Sequence, residues 1–101
     1  MDKSWQNYKD LIEYPKSGVL SKVILKNEKF DVTLFCMAQG TDIGEHTSTR
    51  RGLVQAVDGD GVFILGPEEI RMTPGVIISM PENAIHSLRA KSNMSFLLFL
   101  F

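Results

Sequence analysis

An all-β fold, a sandwich or a barrel, is predicted by two features of this chain. Turn signals recur about every eight residues, at Asp58-Gly59-Asp60-Gly61, Gly66-Pro67, Thr73-Pro74-Gly75 and Pro81-Glu82-Asn83. The stretches between them, rich in Val, Ile, Phe and Leu, have strand length and are too short for helices. With 101 residues, 23% of them charged and 44% hydrophobic, the chain makes one domain of ordinary globular composition.

Eight strands are expected, at 19–26, 30–38, 52–57, 62–65, 68–72, 76–80, 84–90 and 94–101. Asn27-Glu28 is the predicted tight turn between the first two. Asp58-Gly59 supplies residues that tolerate positive φ, so the strands on either side are expected to pair as an antiparallel hairpin.

Residues 1–14 read differently. Trp5, Tyr8, Leu11 and Ile12 recur at helical spacing behind Ser4, a candidate N-cap, so this segment is either a short helix or an irregular arm laid across the rest. Pro15-Lys16-Ser17-Gly18 breaks the chain and separates the arm, 1–14, from the β domain, 15–101.

The last strand carries apolar side chains on both faces. Met94, Phe96, Leu98 and Leu100 point one way, while Leu97, Phe99 and Phe101 point the other. The second face needs a cover, either the arm with Trp5 and Tyr8 or a second copy of the chain, and a homodimer is expected on this ground. In 30–38, Phe30, Val32, Leu34, Cys36 and Ala38 share a face, which makes Cys36 a small buried hydrophobe.

Composition also excludes function classes. Eleven basic residues against twelve acidic ones, net charge -1, with no long basic run, argue against a nucleic-acid partner. A single cysteine forms no internal disulfide and fits a reducing compartment, the cytoplasm by expectation. The polar N-terminus lacks the apolar core of a signal peptide, and 94–101 is far shorter than the ~20 residues of a membrane span, so no membrane partner is expected. No G-x-S-x-G elbow, glycine-rich phosphate loop or paired carboxylates assignable to acid/base work occur.

The chemistry-bearing candidates are the two histidines, His46 and His86, each at a strand edge beside turn residues. Around them the spacing is specific. Gly40, His46 and Gly59 in the first stretch, then Gly75, Pro81 and His86 in the second, stand in the register of the two motifs of the cupin superfamily, which this chain resembles from residue 19 to 101. Asn83 and Ala90 stand where the second motif has glycine and asparagine. The resemblance implies a small RmlC-like single domain, a double-stranded β-helix (jelly-roll) barrel preceded by a short N-terminal arm or helix.

In metal-binding cupins two histidines and a glutamate of the first motif join the histidine of the second around one divalent ion. Here Ser48 replaces the second histidine and Gly52 the glutamate, leaving His46 and His86 as an incomplete metal set for Fe, Mn, Ni or Zn. Ser48 is expected on the same strand face as His46, two residues away. Glu45 falls on the opposite face, and Gln55 has the wrong parity to replace the missing ligands.

Arg50 and Arg51, placed by the resemblance near the barrel mouth, could clamp a carboxylate or phosphate. Met80, just before Pro81, fills either a pocket wall or a core gap, the core being favoured. Three functions are compatible with these residues. The first is a small-molecule-binding barrel with His46, Ser48, His86, Arg50 and Arg51 at the pocket and a small, anionic ligand in view of the arginines. The second is a divalent-metal enzyme of dioxygenase, isomerase or decarboxylase type, and the third is an interaction module.

Overall fold

In the computed structural model the described residues, 4–101, form nine strands and one short 3-10 turn. The strands are β1 (Val19–Lys26), β2 (Asp31–Met37), β3 (Asp42–His46), β4 (Gly52–Asp58), β5 (Gly61–Leu65), β6 (Glu68–Met72), β7 (Ile77–Met80), β8 (His86–Ala90) and β9 (Met94–Leu100). They make a five-stranded sheet, β1-β2-β9-β4-β7, and a four-stranded sheet, β3-β8-β5-β6.

From β2 onward the chain is one long hairpin wound into a barrel. Its two arms pair antiparallel as β2 with β9, β3 with β8, β4 with β7 and β5 with β6, and the pairs alternate between the sheets. The tip is Gly66-Pro67, where Leu65 pairs with Glu68 and Gly66 takes φ +57°. This winding is the jelly roll that the resemblance to cupins implied. It also brings residues equidistant from the tip together, so distant segments of the sequence become neighbours.

The Asp58-Gly59 hairpin does not form. β4 lies in one sheet and β5 in the other, so the link is a corner. Gly59 does take a positive φ, +80°, yet its second requirement is close approach, because a Cβ there would lie 2.1 Å from the Asn93 carbonyl oxygen. The Asn27 turn forms as a longer link. Asn27 Oδ1 accepts from the backbone of Lys29 and Phe30, and Asn27 N donates to Phe30 O. A ninth strand, β3, is present where the sequence predicted none; Gly44 and Glu45 weaken its alternation.

Two apolar layers flank the five-stranded sheet. The inner one, between the sheets, packs Met37, Val54 and Phe96 from one side against Phe63, Met72 and Leu88 from the other. The outer one holds Val32, Leu34, Cys36 and Leu97 under the N-terminal arm, whose Tyr8, Leu11, Ile12 and Tyr14 pack over them. Removing a Leu or Ile from water in this way contributes about 1.5–3 kcal/mol each. The alternation read from 30–38 and 94–101 thus holds, and Cys36 is fully buried.

The arm packs over Leu97 and the layer around it, while Phe99 is half-buried and Phe101, at the end of that face, stays 48% exposed. Trp5 takes no part and stays 73% exposed. Of the two descriptions open for this segment, the arm holds: its one regular piece is a 3-10 turn, Tyr8–Leu11, capped not by Ser4 but by Asn7, whose side chain accepts from Lys9 N. Tyr14 ties the arm down, donating its hydroxyl hydrogen to Asp58 and lying 3.2 Å from the buried Ser95 hydroxyl. No helix among the described residues is long and apolar enough to cross a membrane.

Candidate functional site

His46 closes β3 and His86 opens β8, and the two are register partners on the β3–β8 rung. Their ring centroids lie 4.0 Å apart with planes at 60°. A bulge makes this possible. Between Ile43, opposite Leu88, and His46, opposite His86, β3 carries one residue more than β8. Strict alternation would aim His46 away from the face of Ile43; the extra residue turns it inward, so both line the same cavity.

Each imidazole is held by the same local device. His46 Nδ1 lies 2.8 Å from Gly44 O, and His86 Nδ1 lies 3.0 Å from Ala84 O, the carbonyl two residues before the ring in both cases. A carbonyl only accepts, so Nδ1 carries a proton on both rings, and the neutral form of each ring would have its lone pair on Nε2. His86 is buried and stacked on Phe63, centroids 5.7 Å apart and planes at 6°. Burial lowers its pKa below the usual 6.5, the Ala84 carbonyl opposes that, and the neighbouring His46 adds to the lowering.

The cavity that these rings enter holds about 170 Å³ and opens into the inner layer, with Phe35, Phe63, Phe96 and Met80 among its walls. Phe35 and Phe96 stack at 5.2 Å. A void of ~150 Å³ lined by such groups is enough for a benzene-sized molecule. A larger hollow of about 470 Å³ lies on the outer side of the four-stranded sheet, bordered by Val62, Ile64 and the exposed Asp42–Arg89 ion pair. It does not include either imidazole.

Three of the residues expected at the pocket are elsewhere. β3 ends at His46, so Ser48 sits in the following loop rather than on the strand face of His46. There its hydroxyl accepts from Arg50 N at 3.1 Å and its carbonyl accepts from Asn83 N at 2.7 Å. Arg50 is held by Asp31 at 2.6 Å and by the Leu100 carbonyl at 3.1 Å. Arg51 pairs through its backbone with Phe101 and is exposed. Neither arginine is on the cavity wall, and the charge that favoured an anionic ligand goes with them.

The divalent ion held by metal-binding cupins does not fit the donors present. Among the described residues no group of three or more His, Cys, Asp and Glu is placed to hold a metal. Gly52 faces the interior, and a Cβ on it would lie 2.6 Å from Met80 Cε, so the space of the absent glutamate is taken up by a thioether side chain. Met80 is both core and pocket wall, buried at 5% exposure and lining the cavity. Its parity with inward Ile78 was the available signal for the wall; Phe63, under His86, had none beyond an apolar strand position.

A hairpin wound into a double-stranded β-helix, with a small cavity among its inner side chains, defines the class of this chain. No protein-family model matches it, and no curated protein matches it. Solved structures do. A cupin superfamily protein from Desulfitobacterium hafniense is 23% identical, with TM-score 0.86 over 91% of this chain and 84% of its own. An RmlC-like cupin from Desulfovibrio desulfuricans is 18% identical, with TM-score 0.85 over 98% and 96%. At greater distance, salicylate 1,2-dioxygenase from Pseudoaminobacter salicylatoxidans is 14% identical, with TM-score 0.77 over 82% of this chain and 26% of its own. The fold is that of a small single-domain, RmlC-like cupin.

Proposed function

We propose that this chain is a ligand-binding cupin whose cavity takes a compact, largely apolar ligand through the two Nε2 lone pairs. The observation that carries the reading is the convergence of His46 and His86 on one small cavity with otherwise apolar walls. Two acceptors and no cation at the wall favour an uncharged ligand that offers an O–H or N–H donor. An anion would meet lone pairs and no charge to offset its desolvation.

Catalysis on a divalent metal is the second reading. It is supported by the fold shared with salicylate 1,2-dioxygenase, and weakened by the serine and glycine at the other two ligand positions. Among the described residues the donors for such an ion are not assembled.

The test is a comparison of phenol, benzene and benzoate by NMR, following the ring resonances of both histidines. Phenol shifting His46 and His86 together, with benzoate leaving them unmoved, is the expected result. Phenol leaving both rings unchanged at saturating concentration would remove the reading.

A further inference from the structure

Met80 adds a third donor to the cavity wall. Its thioether is the one sulfur among the lining residues; Met37, Met72 and Met94 belong to the same core away from that wall, and Cys36 lies in the outer layer on the other side of the sheet. The cavity wall therefore offers two imidazoles, each with Nδ1 engaged on a backbone carbonyl, and one thioether, and no carboxylate.

That set has a definite preference. Thioether and imidazole are soft to borderline donors, and thioether selects Cu(I) among biological metal ions, whereas carboxylates and carbonyls suit Mn, Mg and Ca. Charge points the same way. With neutral ligands and apolar walls such as Phe63 and Phe96, an ion enters with its full charge uncompensated, and desolvation rises with the square of that charge. A monovalent ion is the cheaper occupant.

The second shell is already in place. Both rings donate Nδ1–H to backbone carbonyls, which orients them and raises the basicity of Nε2. Gly52 completes the arrangement by leaving room, since any Cβ there would collide with the Met80 methyl group.

We infer that the cavity is a Cu(I) site with His46 Nε2, His86 Nε2 and Met80 Sδ as its three ligands. This rests on the reading of the cavity as the binding site and gives the same donors a second kind of occupant, a soft monovalent cation in place of an uncharged O–H or N–H donor. It also accounts for a departure from the family pattern: with Gly52 in place of glutamate and Met80 filling the space, the hard donor is exchanged for a soft one.

The experiment is an anaerobic titration of the protein with Cu(I) supplied as its bicinchoninate complex, with Mn(II) as the hard-ion control. Expected are one Cu(I) captured per chain, no competition from Mn(II), and an affinity weaker by about tenfold or more in Met80→Leu, since loss of an outer-shell partner alone costs about 10–100-fold. Equal affinity in folded Met80→Leu, or no transfer from the chelator, overturns the inference. X-ray absorption at the copper edge of the wild-type complex needs no variant. A shell of two nitrogens and one sulfur is expected, and a shell without sulfur refutes it. If phenol moves both rings but copper is not captured, this inference falls and the ligand-binding reading stands; if neither binds, both fall.

Discussion

Gly52 and Met80 face each other across β4 and β7, so close that a Cβ on Gly52 would lie 2.6 Å from the Met80 methyl carbon. The atom in the way is the far end of a flexible chain, which can swing aside at a cost. Placing at 52 the glutamate that metal-binding cupins carry is therefore a packing problem before it is a question of ligands.

Gly52→Glu is expected to destabilise the fold by about 1–3 kcal/mol, the range for overpacking a filled interior. In a Met80→Ala background part of that loss should return, because the colliding methyl is gone. Urea denaturation of the two single variants and the double variant measures the coupling. Strict additivity would show that the glutamate is refused for another reason. Ser48→His adds nothing to an inward ligand set, as residue 48 belongs to the loop beyond β3.

The pH dependence follows from His86. Its folded pKa is lowered, chiefly by burial, below the 6.5 of an ordinary histidine. Between the two values the unfolded chain binds the extra proton, so stability is complete above about pH 6.5 and declines as pH falls through the folded value. Urea midpoints of the wild type from pH 8 to pH 5 should decline on the acid side more steeply than those of His86→Leu. Parallel profiles would contradict the assignment.

Tyr14 gives an alkaline counterpart. Burial, and then the hydrogen bond donated to Asp58, push its phenol up to about 12 from the usual 10. For an acid whose folded pKa is raised, stability is complete below pH 10 and is lost as pH climbs toward the folded value. The absorbance titration of the wild type minus that of Tyr14→Phe should show a phenolate appearing near pH 12. The same variant strips partners from Asp58 and from buried Ser95, and is expected to lose about 1–3 kcal/mol. A difference titration centred at pH 10 would mean that the arm is not docked in solution.

Much of the fold was legible because it is local. The alternation in 30–38 and 94–101 assigned each side chain to a layer correctly, since strand residues point to opposite faces whatever the strand pairs with. Gly66-Pro67 marked the hairpin tip for the same reason. His46 and His86 could be matched to two motifs by spacing alone.

What depended on pairing was not legible. Asp58-Gly59 carries the residues of a hairpin and makes a corner instead, because the neighbours of β4 are β7 and β9, strands supplied from later in the chain. The arm was open between two descriptions until its side chains met the outer layer. The same limit governs the site. A one-residue bulge turns His46 inward, the early end of β3 takes Ser48 off the face, and Asp31 and the Leu100 carbonyl hold Arg50 away from the cavity.

The sequence by itself determined which side chains each strand sends to which face, where the chain turns, and which two imidazoles it has to offer. Only the tertiary structure decided that those imidazoles meet, with Met80 rather than a carboxylate beside them. The reason is the range of the interactions. Face and turn are set by φ/ψ preferences within a few residues, whereas register, bulges and cavity walls are set by contacts between segments tens of residues apart, which no local pattern encodes.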